Sequence, residues 1–575
     1  MPRKRDVVYS PEIIIALAGS VGVNFDRVID DLENELNEIK YQVNVIKLAD
    51  IIGGYLRNQK YIPAKNINIK YKRLKDKMAK CSKLRHACDK AVMGLLSIAE
   101  ISSLRQKHNS RNHRHAYIIK SLKRPEEVKL LKQVYGENFI LLSIYSPENI
   151  MIKYLAEEMK SDNLKFCNGR VNNKLVPDTE TSKATKLIQK DEAETSENIK
   201  NYGQDLRNTF PLGSYFIRID VTETELKKEV NKFIRTIFGD PFITPTKEEL
   251  NMFMAKGISL RSSDLSRQVG AVICNDEGEV LSCGCNEVPR FGGGYYWIDD
   301  KKDFRDFQMN IDSNYSYKCE ITEQIINNAA SEIESILNKK IKHHNKDKSI
   351  KPGHINAKDI KKIRIKLEKT KIKSFDLLEF GRAVHAEEAA ICEAAKKGIS
   401  LRSCTLYCTT FPCHLCIKHV IAVGIKKIVY IDPFPKSKAE DLFGEAIDIN
   451  PDHECIGKID IQPFIGASPE VFLQKFSFNS SDRERKNKYT KCAITWNLDK
   501  NQNPRNTLHR SYLSYCNKEI IYLYYLYGLL KNIKPKPKLK KIINEYENSL
   551  KFSFDMHGKN IKGWWNMEID HEYKM

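Results

Sequence analysis

Two neighbouring stretches decide how this chain is read: "GRAVHAEEAAICEAAKKG" (Gly381–Gly398) and "TLYCTTFPCHLCIKHVIAVG" (Thr405–Gly424). The first predicts a helix that opens at His385 and stops at Gly398. The second predicts a strand, "SCTLYCTT" (Ser403–Thr410), followed by a helix that opens at Cys413 and stops at Gly424. A glycine ends each helix where a left-handed cap is wanted, and Pro412 suits a helix start because it has no N–H to satisfy. "IKKIVYID" (Ile425–Asp432) then reads as the next strand. His385 and Glu387 therefore lie two residues apart at one helix start, and Cys413 and Cys416 three apart at another.

Cysteines at i and i+3 share a helix face, so both thiolates can reach one ion. Zinc(II) takes four tetrahedral ligands, and a catalytic zinc keeps one of them as water. His385, Cys413 and Cys416 supply the other three. Both pairs open helices, where the positive end of the dipole favours thiolates and bound hydroxide. Glu387 stands close enough to address a metal-bound water without ligating. A structural zinc ribbon asks instead for two C-x-x-C pairs or a trailing H-x₃₋₅-H. His414 and His419 fall away from the Cys413/Cys416 face. H-x-E followed by P-C-x-x-C is the pattern of zinc nucleobase deaminases.

Outward from these stretches, "EELNMFMAKGISL" predicts a helix, "QVGAVICN" a strand, "DEG" a turn and "EVLSCGCN" a returning strand. Upstream, "FGDPFITPTKEEL" is punctuated by Pro241 and Pro245, and Thr246 with Glu249 forms a capping box. Nearer the N-terminus, "EIIIALAGSVG", "FDRVIDDLENELNEI" and "QVNVIKLAD" read as strand, glycine turn, helix and strand, the opening of a βαβ unit. "HAYIIKSLKRPEEVKLLKQVYGENFILLSIYSP" repeats strand, helix, strand, so the first half is an α/β domain with a parallel sheet. "YLYYLYGLL" is the one strong apolar segment after Ser480, and its role is not readable.

Residues from about Pro241 to Ser477 resemble the cytidine/deoxycytidylate deaminase superfamily. The resemblance rests on "SLRSSDLSRQVGAVICNDEGEVLSCGCNEVP", "VHAEEAAI" and "TTFPCHLC". "DPFITPTKEE", "NEVPRFGGGYYW", "YIDPFPKSKA" and "YIIKSLKRPEEV" are similar to stretches of bacterial anti-phage deoxycytidylate deaminases, which join a degenerate nucleotide-kinase-like domain to a deaminase domain. The resemblance implies a kinase-like α/β domain over residues 1–238 and a three-layer α/β/α deaminase domain over 239–478. A basic helical insertion occupies about 300–375 of the latter, and 479–575 form an extension. It further implies hydrolytic deamination of dCMP or dCTP, depleting deoxycytidine nucleotides during phage infection. One Zn²⁺ would sit on His385, Cys413 and Cys416, with Glu387 as proton carrier and Asn286 holding the sugar. Ser266 and Arg267 are weaker candidates for phosphate contact. "GSVGVNFD" keeps Gly19 and Gly22 of a P-loop but has Phe25 and Asp26 where the lysine and hydroxyl belong. Backbone amides there can hold a phosphate, whereas nucleotide turnover is not expected.

The 575 residues predict several domains, and a mean hydropathy of −0.49 describes a soluble protein. No apolar run approaches the ~20 residues of a membrane span. The basic, apolar start "MPRKRDVVYSPEIIIALAG" mimics a secretion signal, but Asp6 and Glu12 interrupt it and no cleavage site follows. Fifteen cysteines in so long a chain are too sparse for a disulfide framework and fit a reducing cytoplasm. A net charge of +21 invites polyanions, although lysine is spread along the whole chain. The densest run is Asn338–Lys373, read as a solvated, partly helical insertion. An inhibitory RNA and an assembly of identical subunits are expected partners. The charge also keeps open a deaminase of tRNA or single-stranded DNA, or a catalytically dead, zinc-stabilised RNA-binding protein.

Overall fold

Ile13–Ala18 (β1) is six apolar residues with every side chain buried, the mark of an interior strand in a parallel sheet. In the computed structural model it is flanked by β3 (His115–Leu122) on one side and β4 (Phe139–Tyr145) on the other, both parallel to it. The structure describes residues 12–62, 70–107, 114–166, 178–192, 202–264, 267–305, 382–431, 438–449, 457–477 and 512–554, with isolated positions at 328, 331, 332, 485, 490, 492–498 and 504. The Asn338–Lys373 run lies outside the described residues, as do residue 266 and most of the span 300–375.

By packing, the chain divides into two units. The first comprises Met1–Leu250, Asp432–Phe434 and Phe464–Met575; the second comprises Asn251–Ile431 and Pro435–Pro463. In the first, β2 (Gln42–Lys47) and β5 (Tyr215–Arg218) complete a parallel order β5-β4-β1-β3-β2. The helices between them are α1 (Phe25–Glu38), α2 (Leu48–Tyr55), α3 (Lys70–Ala87), α4 (Val92–Lys107), α5 (Pro125–Tyr135), α6 (Glu148–Phe166), α7 (Asp178–Glu192) and α8 (Leu206–Thr209), and α9 (Glu223–Ile237) follows β5. Helix α1 buries Phe25, Val28, Ile29, Leu32 and Leu36, one stripe at 3.6-residue spacing. That stripe joins Ile13, Ile15 and Leu17 of β1 and Val230, Phe233 and Ile234 of α9 in one core.

The second unit holds β6 (Gly270–Cys274), β7 (Val280–Cys285), β8 (Thr405–Cys408), β9 (Lys427–Tyr430), β10 (Ile447–Ile449) and β11 (Ile459–Pro463). Their order is β10-β11-β9-β8-β6-β7; β6 runs antiparallel to β7 and β8, and the rest pair in parallel. Helix α10 (Lys247–Ser259) begins before the point where the units divide. Helices α11 (Ala386–Lys397), α12 (His414–Ala422) and α13 (Ala439–Phe443) belong to the second unit. Ala386, Ala390 and Ala394 of α11 pack with Ile273, Leu406, Ile417 and Ile428 in its core. Gly398 (φ 69°) and Gly424 (φ 80°) end α11 and the α12 turn in left-handed backbone, as the sequence predicts.

After β11 the chain supplies β12 (Gly466–Ala467), an antiparallel edge on β5 of the first sheet, then α14 (Phe472–Phe476), α15 (Tyr512–Leu530) and α16 (Pro537–Phe554). The Thr246–Glu249 capping box forms: Thr246 N–H donates to Glu249 Oε2 at 2.8 Å, and Glu249 N–H to Thr246 Oγ1 at 3.1 Å. The same buried carboxylate accepts Ala467 N–H at 2.9 Å, so it also clamps β12. The "YLYYLYGLL" segment lies in α15, which packs on α4, α5 and α16. Both units are α/β. Among the described residues no helix is long and apolar enough to cross a membrane, and the cysteines are free thiols.

Candidate active site

His385 is the N-cap of α11, extended at φ −70° and ψ 156°. An antiparallel bridge fixes its approach, with Glu287 and Val384 exchanging backbone hydrogen bonds of 3.2 and 3.1 Å just beyond β7. Cys413 is the N-cap of α12 in the same extended conformation, φ −73° and ψ 163°. Cys416 follows within the first turn, closed by Ile417 N–H to Cys413 O at 3.0 Å. Two helix starts are thus aimed at one point. His385 Nδ1 lies 3.3 Å from each sulfur, and the two sulfurs are 3.6 Å apart.

These separations test the fit of a metal. Zinc–sulfur bonds of about 2.3 Å and zinc–nitrogen bonds of about 2.05 Å at tetrahedral angles put sulfurs ~3.8 Å apart and nitrogen ~3.5 Å from sulfur. The observed set is within a few tenths of an ångström of that. Among the described residues this is the His/Cys/Asp/Glu group gathered closely enough to hold an ion. Two thiolates and an imidazole are the borderline-soft set that zinc takes. Three protein ligands, not four, leave a vertex for water, which separates a catalytic zinc from a structural one.

Glu387 is 4% exposed, in the first turn of α11. Burial pushes its carboxyl up to about 6, against the pull of its own backbone N–H. Hydrogen bonding from Cys416, and then from His385, draws the Cys413 thiol down to about 4, while burial works the other way. Cys416 is held up as the thiol by its hydrogen bond with Cys413 and by burial, and His385 is raised through its bond to Cys413. The set thus joins one thiolate, one thiol and a buried carboxyl. Metal binding displaces the remaining thiol proton.

Asn286 is 7% exposed and sits immediately after β7. Its carboxamide clamps the preceding loop: Oδ1 accepts Val269 N–H at 2.8 Å, and Nδ2 donates to Arg267 O at 2.8 Å. Ser262 Oγ donates to Asn286 O at 2.7 Å. Arg267 enters this network through its backbone, and its side chain is exposed. Ser266 lies outside the described residues. In the first unit, Gly19 and Gly22 both lie in the turn between β1 and α1. A Cβ on Gly19 would come 2.8 Å from Ile144 O, and one on Gly22 would come 2.6 Å from Met151 Cβ, so packing alone demands glycine at both.

Two contributors escaped the sequence reading. Glu287, 2% exposed, accepts from Ser263 N–H (3.0 Å), Ser263 Oγ (2.7 Å) and Val288 N–H (2.9 Å), tying the 262–264 loop to the bridge beside His385. Arg261 lies 3.8 Å from the Trp297 ring centroid and donates to Tyr295 O at 3.1 Å, bracing the Gly292–Gly294 turn. The three successive glycines, all at positive φ, signalled a tight turn, but nothing local named its anchor.

Residues 245–432 match the family model for the cytidine and deoxycytidylate deaminase zinc-binding region. The deoxycytidylate deaminases of Enterobacteria phages T2 and T4 are each 44% identical over 55 residues, 10% of this chain and 29% and 28% of theirs. ComE operon protein 2 of Bacillus subtilis (strain 168) is 35% identical over 66 residues, 11% of this chain and 35% of that protein. The matched region thus spans about a third of the length of these curated relatives. Among solved structures, dCMP deaminase from the cyanophage S-TIM5 is similar at 16% identity, in apo form and in complex with dCMP and dUMP. It covers 38% of this chain and 99% and 98% of those chains, with TM-scores of 0.19 and 0.21.

Proposed function

We propose that this chain is a zinc-dependent deaminase of deoxycytidine nucleotides, dCMP or dCTP, with the reaction carried out in its second unit. The supporting observation is a buried carboxyl, Glu387, beside a three-ligand His385/Cys413/Cys416 set, inside a segment that matches the deaminase zinc-binding region.

His385, Cys413 and Cys416 would hold the ion. When bound, zinc supplies Lewis acidity and lowers the pKa of a coordinated water to about 7. Glu387 then carries the protons: its carboxylate takes one from the water adding to C4 of cytosine and gives it to N3. It next takes the proton of the new C4 hydroxyl and delivers it to the amino group as the C4–N bond breaks and C4=O forms, so that water enters and ammonia leaves. Burial suits it to this work, because a carboxyl raised toward neutrality both accepts and releases a proton near pH 7. Asn286 bonds Arg267 and Val269, and Glu287 bonds Ser263, and the sugar would meet these segments beside the helix start that carries His385.

The test offers purified chain dCMP, dCTP and a cytosine oligonucleotide side by side, with and without chelator, and reads the mass change from amino to oxo. Conversion of the nucleotides, lost on chelation, is the expected result. Conversion of the oligonucleotide alone overturns the reading. Depletion of deoxycytidine nucleotides as an anti-phage defence rests on the sequence resemblance alone. It predicts fewer phage plaques from cells carrying the chain than from cells carrying a Glu387→Gln variant. Control by an RNA and assembly of identical subunits belong to the same proposal, supported by the +21 charge for the first.

A further inference from the structure

The first unit contains a second constellation that deamination does not use. Its parallel order β5-β4-β1-β3-β2 reverses direction at β1, and ligands of such sheets sit at the carboxyl ends of the strands at that point. There the turn after β1 leads into the N-terminus of the 14-residue helix α1, whose N-cap, Asn24, makes no side-chain capping bond. Helix starts with uncapped amides favour phosphate. The turn is closely packed, because Gly19 and Gly22 are pressed against Ile144 and Met151 too closely for any side chain. Ser20 is 5% exposed, and its hydroxyl has no partner. Arg207 Nε is likewise buried without a partner, and Arg207 acts electrostatically on Glu192, next to Asp191.

The lysine missing from the sequence motif is present in space. Lys123, just past β3, reaches across so that its Nζ donates to Gly19 O at 2.5 Å and to Asp191 Oδ2 at 2.5 Å. The Asp191 side chain is 1% exposed and belongs to the last turn of α7. An ammonium, a hydroxyl and helix-start amides are gathered as they would be for a phosphate chain, and a carboxylate of the chain itself neutralises the ammonium. We infer that Asp191 is an internal stand-in for phosphate, keeping closed a polyphosphate cradle formed by the Gly19–Asn24 turn, Ser20 and Lys123, and that a polyphosphate ligand competes with it. Entry of an anion therefore requires the end of α7 to move away. This inference does not depend on the deaminase reading.

Calorimetry on the full chain, with inorganic tripolyphosphate and separately with a nucleoside triphosphate, tests it. Asp191→Asn keeps the shape and removes the charge, and should bind tripolyphosphate roughly tenfold or more tighter than wild type, as expected when a charge-assisted competitor is removed. Lys123→Met in that background should abolish the gain. A folded Asp191→Asn variant, checked by circular dichroism, that binds no better than wild type overturns the inference. Should Asp191→Asn fail to fold, hydrogen exchange of wild type answers instead. Faster exchange at the end of α7 with tripolyphosphate than with sulfate of equal ionic strength supports the inference, and equal rates overturn it. Tighter binding of the nucleoside triphosphate than of tripolyphosphate supports it and assigns a contact to the base or sugar. Equal binding supports it with the phosphate chain as the whole ligand.

Discussion

At the scale of single residues, Glu387 and Glu192 show the same physical effect put to different ends. Burial raises Glu387 to about 6 beside the His385/Cys413/Cys416 set, where the proposed reaction moves a proton. Glu387→Gln keeps the volume and the polar edge but cannot carry a proton. Turnover should fall by roughly 10²–10⁴, while bound zinc measured by elemental analysis stays at the wild-type level, since Glu387 lies outside the proposed ligand set. Loss of zinc along with activity would show the carboxylate to be part of the metal set. Glu192 is pushed from 4.5 to about 7, first by burial and then by Glu148, with Arg207 opposing. Below pH 4.5 both folded and unfolded chains hold this proton. Between 4.5 and 7 only the folded chain does, so the group's contribution to stability is lost as pH rises through that window. Glu192→Gln should therefore raise the melting temperature by a few degrees at about pH 8 and leave it unchanged at about pH 4. An equal rise at both pH values would assign the gain to packing. His385, Glu387, Cys413 and Cys416 were legible because their spacing and helix starts are local; Glu287 was not, because its partners come from a separate loop.

Elements explain why those residues meet. Helix and strand boundaries could be read from glycine stops and the Thr246–Glu249 box, since capping is settled within four residues of chain. What could not be read is how closely β7 approaches α11. Gly284 in "SCGCN" looks like an ordinary weak point in a strand. In the fold, a Cβ there would lie 2.4 Å from Ala390 N, 2.6 Å from Ala386 O and 2.7 Å from Ala389 Cβ. The alanine face of α11 and this glycine together let the helix lie against the sheet, and that depth sets where His385 and Glu387 point. Gly284→Ala must push α11 outward by a fraction of an ångström or more. Overpacking of this kind costs typically 1–3 kcal/mol. The variant should unfold at lower denaturant and lose both zinc affinity and turnover, although residue 284 is outside the proposed ligand set. Wild-type turnover in Gly284→Ala would mean that the helix start is fixed by the Glu287–Val384 bridge alone.

At the scale of the molecule, the first unit is assembled from the two ends of the chain. The βαβ opening was legible from periodicity, but the role of the C-terminal segment was not, because its partners lie some 400 positions away. Arg105 in α4 donates to both oxygens of Glu12, just before β1, and to both oxygens of Glu519 in α15, each group at most 8% exposed. Tyr515 adds a hydroxyl bond to Glu12 at 3.1 Å, and its ring lies 5.6 Å from the guanidinium. One cation thus holds two carboxylates from opposite ends of the sequence in an interior with little water. Removing the cation leaves both anions buried and facing each other, and breaking a buried pair costs about 3–5 kcal/mol. Arg105→Ala should lower the stability of the first unit by at least that much in chemical denaturation. Glu519→Gln should cost less, because Arg105 keeps Glu12 as its counter-charge and the amide can still accept a bond. The order of the two effects is the informative measurement: if Glu519→Gln were the more damaging, α15 would be held by the carboxylate's other contacts, and the guanidinium would be a passenger in the interface.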